Sequence, residues 1–414
     1  MKVLLVSNLF PPEVLGGYEL LAAEVATMLA RQGHAVTVAT TPLVNRVDTQ
    51  VDPRLSIRRS LEFNANWLSP DPPSDAAEFR GGFLSMRNIA ALRLLLEETE
   101  PDRVVLFNTD GLGTLGLIAF LHACGHRPVH YMADNVFRFL DSRQAAETFR
   151  SFARVFRLEP ALKALSVLAM SRTVYDEAAH SLGTAPGTVA FVPGTVPDKL
   201  PPLVPRSDPE GTLRLVFSSR IAPHKGTLLM LDALRLLLDR GERGFTVDVF
   251  GNGGVPDLLQ RAHAHGLGPH LRFAGGIGRE AMIQRFADYD ALLFPTWMRE
   301  PFGLVAAEAA AQGCIPIVTA QTGVAEWLMT GDAIKIERSV EGLAGGIQRL
   351  LYLPPAEREA QRRRTSDAAR RLFAADRWYP RIERAILDAA SCSRAPSARD
   401  VEDAFFAMAR IWRG

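Results

Sequence analysis

Residues 291–308, ALLFPTWMREPFGLVAAE, change character twice. Ala291–Phe294 is a short, wholly apolar run, the pattern of a strand buried on both faces of a sheet. From Pro301 the chain reads as a helix, because a proline in the first turn lacks only an N–H that would be unpaired there anyway. A buried strand running into a helix is half of a crossover unit, and crossover units build parallel sheets. Glu300 then lies at the N-terminal edge of the helix and Glu308 two turns inside it. The amides of Gly303, Leu304 and Val305 point free at the helix start, where the dipole favours an anion such as a phosphate. Gly303 lets a ligand approach the backbone closely. The competing reading gives Glu300 to the helix dipole and Glu308 to a solvated face.

The same alternation runs through the whole chain. Val3–Val6, Ala35–Ala39, Arg103–Phe107, Val129–Met132, Ser166–Met170 and Thr188–Val192 are strand-like and separated by helical segments such as Gly17–Arg31 and Phe83–Glu97. A second series has strands at Leu213–Ser218, Phe245–Phe250, Leu271–Phe273, Ala291–Phe294, Ile315–Val318 and Ala333–Ile336. Between them, residues 198–211 carry prolines and charges that fit neither a helix nor a central strand. The expectation is an α/β protein of two Rossmann-like, doubly wound domains, residues 1–197 and 212–376, facing a cleft. Helices at 377–414 complete the chain, with a return to the first domain as one option. Ligands of such sheets bind beyond the carboxyl ends of the strands.

At 414 residues, 47% apolar and 22% charged, the chain is a two-domain globular protein by size. A net charge of +1 offers no general attraction to nucleic acid or anionic membranes. Cys124, Cys314 and Cys392 are far apart, which fits a reducing compartment, and the cytoplasm is the expected location. No run of about 18 apolar residues is present to span a membrane.

A second cluster, Phe217–Gly226 (FSSRIAPHKG), follows the first strand of the second domain. Arg220 supplies a planar fork for phosphate oxygens and Lys225 a point charge, together a diphosphate clamp. Eight residues of helix after Glu300 span roughly 12 Å, about the length of a sugar, a diphosphate and a ribose. The two glutamates would then hold hydroxyls on either side of the phosphates.

R-x-x-x-x-K-G and E-x7-E, followed by Ala309–Gly313, Pro316 and Gly323–Glu326, resemble the donor half of the family-four retaining glycosyltransferases (group 1) of the GT-B fold. FPPEVLGGYE, residues 10–19, resembles that family's first strand-loop-helix, with Gly16 and Gly17 at the cleft. The resemblance implies that Arg220 and Lys225 hold the diphosphate of a nucleotide sugar and Glu308 the ribose. Glu300 and the backbone near Phe302–Gly303 would hold the transferred sugar. Gly16, Gly17 and Gly251 join Leu304 and Val305 among the donor-binding positions. It further implies an acceptor-side role for Asp134, with Gly17 and Glu19 nearby, and no resident cofactor or metal. The chain departs from the family at HYMADN, where Asp134 lacks an adjacent histidine, at Gly194-Thr195 and at Val324.

Other motifs point elsewhere. Gly111-Leu-Gly113-Thr-Leu-Gly116, with Asp134 18 residues beyond, fits the dinucleotide fingerprint of a nicotinamide-dependent oxidoreductase. The alternative is a glycine-rich helix packed closely on its sheet. Asp288-Tyr289-Asp290 matches the D-x-D of metal-dependent sugar transferases, or else caps the entry to a strand. Segment 146–157 sets Phe149, Phe152 and Phe156 on one stripe beside Arg150, Arg154 and Arg157. Such a helix either lies on an anionic membrane, next to a lipid-linked acceptor, or packs into its own domain. The expected reaction is a metal-independent, retaining transfer of a hexosyl-type group to a hydroxyl of a glycan, a lipid-linked sugar or a small molecule. A non-catalytic nucleotide-sugar binder on the same fold is a further alternative. The acceptor loop is sought at Leu61–Gly82.

Overall fold

A computed structural model describes residues 1–43, 52–64, 75–203, 212–296, 300–389 and 396–413. The apolar runs form two sheets in which every described strand pair is parallel. The first contains β1 (Lys2–Val6), β2 (Ala35–Ala39), β3 (Ser56–Arg58), β4 (Arg103–Leu106), β5 (Val129–Met132), β6 (Ser166–Ala169) and β7 (Thr188–Phe191), in the order β3-β2-β1-β4-β5-β6-β7. The second contains β8 (Leu213–Ser218), β9 (Phe245–Phe250), β10 (Leu271–Gly275), β11 (Ala291–Phe294), β12 (Ile315–Thr319) and β13 (Ile334–Ile336), in the order β10-β9-β8-β11-β12-β13. Both are doubly wound. Every residue of β5, β11 and β12 is buried, as expected of strands covered by helices on both faces.

In each sheet the strand order turns back on itself, between β1 and β4 in the first and between β8 and β11 in the second. The loops leaving two such neighbours run to opposite faces and open a crevice at their carboxyl ends. The loops after β8 and β11 carry the two clusters that stand out in the sequence.

By its contacts the chain divides into Met1–Val192 with Tyr379–Gly414, and Pro193–Trp378. Of the segment read as a linker, residues 204–211 lie outside the described chain. The part before them lies on the second unit: Asp376 N donates to Asp198 Oδ1 at 3.1 Å and Arg370 Nη2 to Pro201 O at 2.6 Å. The C-terminal segment is fixed to the first unit. His34 Nε2 meets Glu383 Oε1 at 2.8 Å, Arg103 Nη2 donates to Leu387 O at 2.6 Å, and the helix Ala398–Arg413 packs on the helix Met86–Thr99.

The glycine fingerprint at 111–116 is filled by its own domain, which removes the dinucleotide site. Gly113 N donates to Gly81 O and Gly116 N to Phe83 O, each at 2.6 Å. A Cβ on Gly113 would lie 2.5 Å from Ser85 N, and one on Gly116 would lie 2.5 Å from Leu84 Cδ1. The amides that would cradle a pyrophosphate are bonded, and the space above them is occupied. The phenylalanine stripe of 146–157 is likewise turned inward: Phe152 is in the core, with Phe149 and Phe156 packed against it. Arg150, Arg154 and Arg157 are left exposed. No described helix is long and apolar enough to cross a membrane.

Gly113 has φ +83° as well as its close contact with Ser85. Gly113→Ala should therefore cost about 1–3 kcal/mol of unfolding free energy, as overpacking in cores generally does. Urea titration reads this directly, and a loss below about 0.5 kcal/mol would mean that residues 81–85 yield easily.

Candidate donor site and acceptor-side elements

In the second unit, the loop after β8 is shaped by the loop after β9. Ser219 N donates to Phe250 O at 3.1 Å, Ile221 N to Asn252 O at 2.8 Å, and Gly254 N to Ile221 O at 3.2 Å. Gly251, with φ +153°, makes this approach possible, since a Cβ there would lie 1.9 Å from Ser219 O. Arg220 is exposed between these anchors. Pro223–Lys225 then form one 3₁₀ turn, and Gly226 caps the helix Thr227–Asp239. Gly226 sits so close to the end of β11 that a Cβ would lie 1.8 Å from Pro295 O.

That contact delivers Lys225 to the loop after β11. Lys225 Nζ donates to Glu300 Oε2 at 2.6 Å, with the two side chains only 18% and 16% exposed. The sequence reading gives these residues separate roles; in the fold they are an ion pair.

Residues 297–299 lie outside the described chain. From Glu300 the backbone runs alongside Thr322–Val324, with Gly323 N donating to Glu300 O at 2.9 Å and Val324 N to Phe302 O at 2.7 Å. The helix begins at Leu304, not at Pro301, because Gly303 adopts φ +96° and caps it. By helix geometry the amides of Gly303, Leu304 and Val305 have no partner within the helix, while Ala306 N turns back to Gly303 O at 3.0 Å. The Phe302 ring is buried and lies edge-on to Phe373 at 5.6 Å, so its side chain serves the core and only its backbone borders the loop.

Glu308 is the fifth residue of the helix Leu304–Ala311, 5% exposed among wholly buried alanines. A solvated face is thereby excluded. Its Oε1 accepts from Arg279 Nε at 2.6 Å. Arg279 opens the helix Arg279–Arg285 just beyond the carboxyl end of β10, and the sequence reading misses it. The available signal is the one that identifies Arg220: a cation at a strand end, here behind Gly275-Gly276-Ile277-Gly278.

Asp288-Tyr289-Asp290 precede β11, whereas Glu300 follows it, so the two groups stand at opposite ends of the strand. Asp290 Oδ2 accepts from Arg214 N at 2.7 Å, and Tyr289 OH donates to Asp248 at 2.6 Å. These bonds tie the strand entry to β8 and β9. Among the described residues, no group of three or more His, Cys, Asp or Glu is arranged to hold a metal ion.

In the first unit, Asn8 binds the carboxyl ends of the central strands together. Its amide donates to Asn108 O at 2.6 Å, its Nδ2 to Asp110 O at 2.9 Å, and its carbonyl accepts from Thr41 Oγ1 at 2.6 Å. Gly16 and Gly17 open the helix Gly17–Arg31. Glu19 is turned back on them, accepting at Oε2 from Gly16 N at 2.8 Å and Leu15 N at 3.2 Å, so it holds the loop. Tyr18 OH donates to Tyr131 O. Burial pushes the Tyr18 phenol above its ordinary range and the charge of Asp134 adds to the effect, so Asp134 stands near this helix start. Asp134 follows β5, and its Oδ1 accepts from Asn135 N at 2.7 Å. His130, the histidine of HYMADN, is fully buried within β5, which lowers its pKa to about 4 and keeps the ring neutral near pH 7.

Residues 205–371 match the family model described as glycosyl transferases group 1. A glycogen synthase of Mycobacterium tuberculosis (strain ATCC 25618 / H37Rv) is 26% identical over 392 residues, spanning 89% of this chain and 91% of that protein. Among solved structures, sucrose-phosphate synthase from Thermosynechococcus elongatus superposes with a TM-score of 0.68 at 17% identity, covering 92% of this chain and 97% of the other. The Anabaena protein Alr3699/HepE in complex with UDP gives 0.66 at 17% identity, covering 92% and 98%; in complex with UDP-glucose it gives 0.63 at 18% identity with the same coverage.

The Lys225–Glu300 pair predicts coupling in the unliganded protein. Lys225→Met should destabilise it by leaving a carboxylate unpaired, and adding Glu300→Gln should recover part of that loss. A double-mutant cycle on unfolding free energy should give a coupling of about 0.5–3 kcal/mol. Additive effects of the two substitutions would mean that the pair contributes nothing to the resting fold.

Proposed function

The chain is a group 1 glycosyltransferase of the GT-B fold, and on that premise we propose that it transfers a hexosyl group from a nucleotide diphosphate sugar to an acceptor hydroxyl, with retention of configuration and without a metal ion. The observation that carries this reading is the 2.6 Å contact of Lys225 with Glu300. It sets a cation suited to a diphosphate directly against a carboxylate suited to sugar hydroxyls, which is where a donor passes from phosphate to sugar. The complexes of the Anabaena protein with UDP and UDP-glucose support a donor of this class.

In this reading Arg220, Lys225 and the amides of Gly303, Leu304 and Val305 stabilise the charge that grows on the departing diphosphate, the term that commonly dominates catalysis. Gly251 keeps the loop carrying Arg220 in place. Glu308 holds the ribose, and Glu300 with the backbone at Phe302 and Gly303 holds the transferred sugar. The ion pair adds a constraint. A nucleoside diphosphate draws Lys225 away from Glu300 and gives the carboxylate nothing in return, whereas the full donor offers it hydroxyls. Recognition of sugar and diphosphate is coupled by that exchange.

Charge stabilisation comes from groups fixed at the carboxyl end of the sheet, while the two aspartates of the D-x-D sequence precede β11. No metal is then required at the diphosphate. Attack proceeds on the face the diphosphate leaves, with a donor phosphate oxygen taking the acceptor proton. Of the first unit's residues, Asp134 and Gly17 are assigned to orienting that hydroxyl.

Thermal-shift measurements with UDP-, GDP-, ADP- and TDP-sugars, followed by turnover of the stabilising donor, test the proposal. One donor should stabilise the protein and react in excess EDTA to give the retained anomer. Stabilisation by none of them defeats the reading, and activity lost to EDTA but restored by Mn²⁺ or Mg²⁺ defeats its metal-free part.

The two glutamates should separate in kinetics. Glu308→Gln should weaken nucleoside diphosphate and donor alike by ~1.5–3 kcal/mol, mainly in KM, because ribose contacts change little during reaction. Glu300→Gln should leave nucleoside diphosphate affinity unchanged or raise it, since Lys225 loses its resting partner. Its cost should fall on kcat, where the flattening sugar gains positive charge. Equal loss of nucleoside diphosphate binding in both variants would contradict these assignments.

A further inference from the structure

We infer that Arg279 is the positioning residue for Glu308, orienting its carboxylate toward the ribose and cancelling its charge beside the diphosphate. The inference rests on the donor reading above and extends it to a residue outside the glutamate and lysine motifs. It starts from an imbalance in the helix Leu304–Ala311. Of its eight residues, Ala306, Ala307, Ala309, Ala310 and Ala311 are wholly buried, and Glu308 sits among them with 5% exposure. An ionised carboxylate at such depth is costly unless it is paired and hydrogen-bonded. Arg279 supplies both, at 2.6 Å through Nε.

The geometry gives this pair a direction. Arg279 reaches in from the end of β10 and donates through Nε to Oε1, which fixes how the carboxylate is turned. The side chain of Arg279 is itself 27% exposed, so its grip is made from the rim of the site rather than from within the core. A planar guanidinium fixes the rotation of the carboxylate as a lysine ammonium would not. Its positive charge offsets that of Glu308 near a ligand that carries at least two negative charges of its own.

The test uses the full-length enzyme and compares the affinities of UDP, ADP and GDP with those of their 2′-deoxy and 3′-deoxy counterparts. For the base that binds best, the native enzyme should prefer the ribose form over at least one deoxy form by about tenfold or more. Arg279→Gln should bring this ratio close to one, as should Glu308→Gln, and the double variant should be no worse than Glu308→Gln alone. Arg279→Lys should restore overall affinity more than it restores the ratio. A residue that merely supports the fold would lower the melting temperature and leave the ratio unchanged. Native discrimination that survives in Arg279→Gln overturns the inference and leaves the donor reading intact. A native enzyme that binds no nucleoside diphosphate, or ignores both hydroxyls, overturns the ribose assignment and the inference with it.

Discussion

Parallel pairing is the constraint from which the candidate site follows. Two parallel neighbours cannot be joined by a tight turn, so the chain must leave each strand at its carboxyl end and return through a crossover. All the irregular backbone that can carry chemistry therefore collects at one edge of the sheet. Where β8 and β11 stand side by side the order reverses, and their loops part to opposite faces. Two segments 75 residues apart are thereby brought together at Lys225 and Glu300. Gly226 is as much a part of this as the charged groups, because no larger residue fits beneath the Pro295 carbonyl.

Among the described residues, each of the two glutamates of the candidate site is matched by a cation. Lys225 answers Glu300, and Arg279 answers Glu308. Among the described residues, the exposed guanidinium of Arg220 and the amides at the start of the helix Leu304–Ala311 add positive potential to these pairs. That potential at the carboxyl edge of the sheet is not answered by the two carboxylates. Unpaired, the two glutamates would set negative charge at this edge.

Much of this was legible in the sequence because it is local. Short apolar runs gave the strands to within a residue or two, and a cation or glycine at a strand end gave the loops. The misses have a common cause in that they depend on what lies across the sheet. β3 is three residues long, Ser56–Arg58, too short and too polar to show a period, and it exists because β2 offers it an edge. The helix after β11 starts at Leu304 because Gly303 turns left-handed while Glu300–Phe302 bond to the backbone of Gly323 and Val324. Periodicity contains no trace of that partner. Arg279 and Glu308 are 29 residues apart, and neither position identifies the other.

The two glycine clusters make the same argument in reverse. Gly111–Gly116 has the spacing of a phosphate-binding turn, yet its amides and the space above them are taken by residues 81–85 of its own unit. Gly251-Asn252-Gly253-Gly254 fits no named fingerprint, yet it is what lets the β8 loop close against the β9 loop: a Cβ would lie 1.9 Å from Ser219 O at Gly251 and 2.4 Å from Ile221 O at Gly253. Spacing records that backbone must come close to something. Whether that something is a ligand or the protein itself depends on which atoms already fill the gap, and at 111–116 they are the protein's own, whereas at 251–254 the closure of one loop on another leaves Arg220 exposed at the carboxyl edge of the sheet.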